Sequence, residues 1–418
     1  MNKQNLVDKL NSLNLVCLND VKIGDILYYP IHIYKRKTYS FYSFLRTCAI
    51  LLYRTIIKCN QFEIKGDGQN VFFLSECDYR KDQVDNFNNI FLVVDDYIKI
   101  IYQKKQGIHV KYLKYVYLYF RWFNEINKVV KCRKDTFEYT FYLYIAFIDS
   151  IEIQNELNYK NIKRLTTCND VSPTDSLIVQ LYNKKNIETV TLQHGVFSLE
   201  CNNWMLRGSH SGIYMAANKF TIHEANLIGY KGKLISAGMT YSIPNECNQM
   251  PTQFFDKKIC VFLEGEIMHD DNVQMMLALQ DFCKNNDKEM IIKLHPTSFH
   301  KLPEYADLLD FKIVKRIICN EVSLQELSKQ IDVAVIRNST VLIQMLEFWV
   351  PSFIYYTDDQ VIDVYKSAPC EFRFSSEKEL IDKLDGIHKK EFMKKMIIQR
   401  EFFFIENSKD NYRKFYTN

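Results

Sequence analysis

A chain of 418 residues is longer than one ordinary hydrophobic core accommodates, and 47% hydrophobic with 25% charged residues excludes a disordered or fibrous polymer. The net charge of +4 comes from 54 basic and 50 acidic side chains, a balance that gives no general electrostatic case for nucleic acid. The 12 cysteines include no Cys-x-x-Cys pair and have no His at zinc spacing, which argues against a metal knuckle or a disulfide framework and fits reduced cytoplasmic thiols.

The first residues are polar and amphipathic rather than a charged head followed by an apolar run, so no secretory signal is expected. The apolar run 44–57 is interrupted by Arg46 and Arg54 and falls short of spanning length. Residues 1–65 read as irregular and partly helical, with Gly66-Asp67-Gly68 as a turn. Runs 70–75 and 90–94 look like buried strands, with a polar loop over 76–89 between them. Residues 110–151 are dense in Tyr, Phe, Leu and Ile without alternation, which fits one or two buried helices. Basic residues interleave with aromatics in 34–54 and 104–134, and this composition also suits a surface resting on a membrane face.

The pattern then becomes regular. A strand at 164–168 is followed by Ser172 and Pro173, a cap and first-turn pair that opens a helix running to Lys185. The return strand 189–192 completes a βαβ unit. Runs 219–222 and 233–236 repeat the strand pattern, punctuated by Gly229 and Gly238. Residues 241–256, with Pro244 and Pro251, read as a linker. Beyond it, runs 259–263, 290–294, 311–314, 333–336 and 352–356 are strand-like with helical stretches between most of them. Two successive βα series predict an α/β protein of two Rossmann-like lobes facing a cleft, at 1–245 and 246–418, the first carrying an N-terminal helical and aromatic elaboration.

Polar residues follow directly after three of these strands, where ligands of open α/β sheets bind. They are Gln193-His194-Gly195, Lys293-Leu294-His295-Pro296 and Asn338-Ser339-Thr340. Hydroxyls and amides at a helix start suit an anion, although an ordinary N-cap uses the same residues. His295, held in extended backbone by Pro296, can donate to a phosphate oxygen, and Lys293 sits two residues earlier. His194 beside Gly195 suits a general base, since imidazole titrates near neutrality. Glu264, ahead of Gly265 at another strand end, is a second candidate base. No metal-binding spacing, Gly-x-Gly-x-x-Gly or Gly-x-Ser-x-Gly occurs, so no metal or other cofactor is expected.

With these motifs assembled, residues 166–356 resemble the GT-B glycosyltransferases of bacterial surface polymers, the group that includes CDP-glycerol glycerophosphotransferases, capsule Kdo transferases and polysialyltransferases. The resemblance rests on Gln193-His194-Gly195, Ala217-Asn218-Lys219-Phe220, Ile235-Ser236-Ala237-Gly238, Lys293-Leu294-His295-Pro296 and Ser339-Thr340. It implies that His295, Ser339 and Thr340 hold the nucleotide phosphate while His194 or Glu264 acts as base. The chain departs from the group at Leu263, where a second acidic residue is common, and at Gln344 and Trp349, where Glu and Gly are usual. The implied activity is metal-independent, inverting transfer of a sugar from a nucleotide donor, CMP- or CDP-linked first, to a glycan or lipid-linked glycan. Its place would be the cytoplasm, with peripheral attachment to the inner membrane face. A nucleotide-sugar epimerase of the same architecture and a non-catalytic glycan- or membrane-binding module are the alternatives.

Overall fold

In the computed structural model the described residues are 3–33, 61–74, 81–103, 110–157, 160–168, 172–193, 195, 211–244, 249–358, 360 and 362–418. The 34–54 stretch and His194 lie outside them.

Two sheets organise the chain. The first contains β1 (Gln61–Lys65), β2 (Asn70–Leu74), β3 (Tyr97–Gln103), β4 (Arg164–Thr167), β5 (Glu188–Leu192), β6 (Ile213–Ala216) and β7 (Lys233–Ser236) in the order β1-β3-β2-β4-β5-β6-β7. All its pairings are parallel except β1 against β3. The second contains β8 (Lys258–Phe262), β9 (Glu289–Lys293), β10 (Val314–Ile318), β11 (Val333–Ile336), β12 (Ser352–Tyr355) and β13 (Arg373–Phe374), ordered β10-β9-β8-β11-β12-β13 and parallel throughout. Counted within its own lobe this is the 3-2-1-4-5-6 order of the doubly wound dinucleotide-binding fold. The lobe is therefore Rossmann-like by topology, and its order reverses between β8 and β11. Near-continuous apolar strands such as Ile259, Cys260, Val261 and Phe262 are what a parallel sheet covered on both faces requires, and all four are buried.

Three expected strands are placed differently. Residues 90–94 close the helix Lys81–Ile90 and turn into β3, because Phe87 and Ile90 lie one helical turn apart and bury the same face against β2. This helix also occupies all of the described part of the expected 76–89 loop. Residues 219–222 begin the helix Lys219–Leu227, started by Asn218, whose side chain accepts from the Thr221 N–H at 2.8 Å. Residues 311–313 form a turn on Asp310, whose carboxylate accepts from Lys312 N at 2.9 Å, so the strand starts at Val314. Strands β1, β3, β6 and β13 were not expected.

The aromatic segment forms the helices Val116–Val130 and Arg133–Leu157, which bury Trp122, Tyr144 and Phe147 against the N-terminal helices. The indole of Trp122 donates to Val16 O at 3.0 Å. No helix among the described residues is long and apolar enough to cross a membrane.

The last helix, Ser408–Thr417, lies by its contacts on the first sheet, although it follows the second lobe in sequence. Tyr416 packs on Phe72 with ring centroids 5.1 Å apart and shares a hydrogen bond of 2.9 Å with Thr166, while Tyr412 donates to Gly238 O at 3.1 Å. The Arg164 guanidinium stacks over Phe415 at 4.3 Å. Tyr416→Phe leaves the buried Thr166 hydroxyl without this partner, and the expected loss is about 1 kcal/mol in urea unfolding.

Candidate active site

At the reversal point of the second sheet, the loops after β8, β9 and β11 converge on one cavity of about 380 Å³. Its walls include Glu264, Gly265, His295, Asn338, Ser339 and Thr340, with Gly195 contributed by the first lobe. Met268, Ile362 and Val364 complete them. Residues that are far apart in the chain thus meet because their strands are neighbours in the sheet.

Glu264 spans the crevice between β8 and β11. Its carboxylate accepts from the Asn338 backbone N–H and, at 3.2 Å, from Asn338 Nδ2. The Asn338 side chain also donates to Ile362 O at 3.2 Å and accepts from Val364 N at 2.8 Å, so it fastens the 362–364 wall to the carboxylate. Below, Asn272 accepts from Glu264 N at 2.8 Å and donates to Glu264 O at 3.0 Å. Burial raises the Glu264 carboxyl above the usual carboxylate range, against the lowering pull of the Asn338 bonds and of nearby Arg337.

His295 is exposed at the cavity wall. It is the N-cap of the short turn Pro296–Lys301, and its Nδ1 accepts from Thr297 N at 3.2 Å and lies 2.8 Å from the Thr297 hydroxyl. With a backbone N–H aimed at Nδ1, the neutral ring carries its proton on Nε2, which is left as a donor. Desolvation, then the charge of Lys293, lowers the imidazole below the ordinary histidine value. Gly265 allows the approach of the two loops, since a Cβ there would meet the Thr297 hydroxyl at 3.1 Å.

Ser339 and Thr340 precede the helix Val341–Glu347, and Thr340 makes no capping bond with its side chain. Ser339 O accepts from Tyr365 OH at 2.8 Å, and the Ser339 hydroxyl accepts from Val341 N at 3.3 Å.

Of three other expected residues, two are engaged elsewhere and the third lies outside the cavity. The Lys293 ammonium donates to the carbonyls of Leu294, at 3.0 Å, and Cys319, and so closes the ends of β9 and β10. Gln193 is buried, donates to Gly195 O and to the Thr221 hydroxyl at 2.6 Å, and accepts from Ala217 N at 2.7 Å. It therefore shapes the turn that carries Gly195. Pro296 is exposed and does not line the cavity.

Arg337 and Asn272 were not singled out from sequence. Arg337 is buried beside the site and donates to Asp271 O at 2.9 Å, Gln360 at 3.0 Å and the Thr357 hydroxyl at 2.6 Å. A cation at the end of an apolar strand is a signal that could have found Arg337. Nothing in the sequence marks Asn272. Among the described residues, no group of three His, Cys, Asp or Glu is placed to hold a metal ion.

No protein-family model matches the sequence, and no curated protein matches it. Solved structures match it at low identity and with low TM-scores. UDP-GlcNAc 2-epimerase from Neisseria meningitidis bound to UDP-GlcNAc is 11% identical, with 83% of this chain and 97% of that chain covered and a TM-score of 0.46. UDP-GlcNAc 2-epimerase from Methanocaldococcus jannaschii, in complex with UDP-GlcNAc and UDP, is 15% identical over 65% and 80% of the two chains, with a TM-score of 0.42. A lipopolysaccharide outer core galactosyltransferase in its apo form is 10% identical over 66% and 81%, with a TM-score of 0.40. Likeness of this degree assigns neither substrate nor residue roles, and the two-lobe fold stands on the strand order of the sheets themselves.

Proposed function

We propose that the chain is a nucleotide-sugar-dependent glycosyltransferase of GT-B type, with its donor in the cavity at the β8–β11 crevice. The observation that carries this reading is the convergence of Glu264, His295 and Ser339-Thr340 on one space that also meets Gly195 of the opposite lobe. His295, through Nε2, and the Ser339 and Thr340 hydroxyls would hold the donor phosphate and offset the charge of the departing nucleotide. His194 or Glu264 would take the proton of the acceptor hydroxyl. The sequence resemblance favours a CMP- or CDP-linked donor, inverting transfer without a metal ion, and a bacterial surface glycan or lipid-linked glycan as acceptor. Peripheral attachment at the inner membrane face belongs to the same reading.

Thermal unfolding with CMP, CDP, UDP and GDP tests the site and the donor class together. A cytidine nucleotide is expected to give the largest stabilisation, about 2.7 kcal/mol at a hundred times its Kd. A larger shift with UDP moves the donor to the uridine class, and no shift with any of the four removes the donor site. Product formed from the donor alone, without acceptor, would make the chain an epimerase.

A further inference from the structure

The helix Val116–Val130 has one face in the core and one that the described residues leave bare. Leu118, Tyr119, Trp122 and Ile126 are buried. On the other side Tyr117 is 57% and Phe120 63% exposed, and Leu113, in the turn before the helix, is 41% exposed. Large aromatic side chains seldom stand this far into water in neighbouring positions of one helix without a use for them.

Charge follows the same stripe. Lys114, Tyr117, Arg121, Asn124, Lys128 and Lys131 recur at alternating three- and four-residue steps, so they share the outward face, and all are exposed. Residues 110–134 contain seven Lys and Arg and a single acidic residue, Glu125, which is paired with Lys128 at 2.8 Å. The chain as a whole is near balance, so this local excess is a property of the segment. Exposed rings flanked by long basic side chains fit the boundary of an anionic bilayer: rings sit at headgroup level, stems cover apolar surface and charges meet lipid phosphate.

We propose that this face, centred on Tyr117, Phe120, Lys114 and Arg121, docks the protein on an anionic membrane surface. Leu113 and the near-balanced charge of the whole chain argue for a bilayer over nucleic acid: a base could stack on Tyr117 or Phe120, but an aliphatic side chain finds a matching partner only in acyl chains. This docking rests on the peripheral attachment named in the proposed function and assigns it to a surface; because this face shares no residue with the donor cavity, its failure is distinguishable from failure of the donor site.

The test is flotation of the full chain with phosphatidylcholine vesicles and with vesicles containing phosphatidylglycerol, at low and high salt. Recovery is expected with the anionic vesicles alone, and it should fall as salt rises. The double variant Lys114→Gln with Arg121→Gln should lower the partition coefficient about thirtyfold, at about 1 kcal/mol per basic side chain near an anionic surface. Tyr117→Ser with Phe120→Ser should weaken binding at both salt concentrations. These side chains are exposed, and unchanged thermal midpoints would show that the variants fold. Equal recovery with both vesicle types, recovery with neither, or full binding by both double variants would overturn the proposal. So would binding of RNA or an acidic protein through these residues in the absence of any vesicle binding.

Discussion

His295→Ala is expected to lower nucleotide affinity by roughly ten- to a hundredfold and to abolish transfer, since a hydrogen bond to a charged group contributes about 1.5–3 kcal/mol. The prediction follows from the way Thr297 holds Nδ1, which leaves the Nε2 proton as the group that can reach a phosphate. The ring is exposed and its structural role is limited to capping the turn Pro296–Lys301, so its removal should cost about 1 kcal/mol of stability and leave the protein folded. Calorimetry with the nucleotide decides the matter. Unchanged affinity together with unchanged turnover would take His295 out of the site.

The second large effect separates the two candidate bases. If His194 takes the acceptor proton, His194→Ala should lower kcat by about 10²-fold or more with donor affinity nearly kept. Glu264→Gln is the comparison, and its geometry makes the outcome informative. A Gln carbonyl can still accept from Asn338 N, but its amide would face Asn338 Nδ2, two donors where a donor and an acceptor stood. The variant should therefore lose about 1–2 kcal/mol of stability from the unsatisfied contact, whichever residue is the base. The pH profile supplies the readout that structure alone does not move. With Glu264 as base, the rate falls as pH drops through its raised pKa, because only the ionised carboxylate accepts a proton, and that acid limb should lie above the ordinary carboxylate range. Loss of turnover confined to the Glu264 variant, together with loss of the limb, would assign the role to Glu264.

Much of the second lobe was legible because parallel strands covered on both faces are written as short apolar runs, and β8, β9, β11 and β12 appear at or within a residue or two of their expected places. The polar residues that follow three of them were legible for the same reason: side chains after a buried strand emerge at the sheet's edge. What sequence spacing could not convey was the lateral order of strands. Whether Glu264 stands beside Asn338 depends on β8 neighbouring β11, which is a property of the whole sheet. Nor could it show that Asn338 and Gln193 spend their amides on internal bonds, since a buried bridging amide and a ligand-binding one look alike in a string of letters. The 219–222 segment shows the opposite case, where a local alternation was outweighed by a side-chain cap at Asn218.

The return of the closing helix to the first sheet makes the second lobe an insertion within the first. Tyr412 and Tyr416 share a core with Phe72, Leu192 and Met215, which precede them by some 200 positions or more. On the ribosome the chain emerges from its N-terminus, so the part of that face under Tyr412 and Tyr416 must wait while the whole second lobe is synthesised, although the helix Lys81–Ile90 already covers the rest of the cluster. The second lobe waits less: all its strands are out when β13 appears, and the helices Glu377–Leu384 and Lys390–Phe403 that complete its core follow directly. Completion of the first lobe therefore follows that of the second, although most of its sequence is read before it.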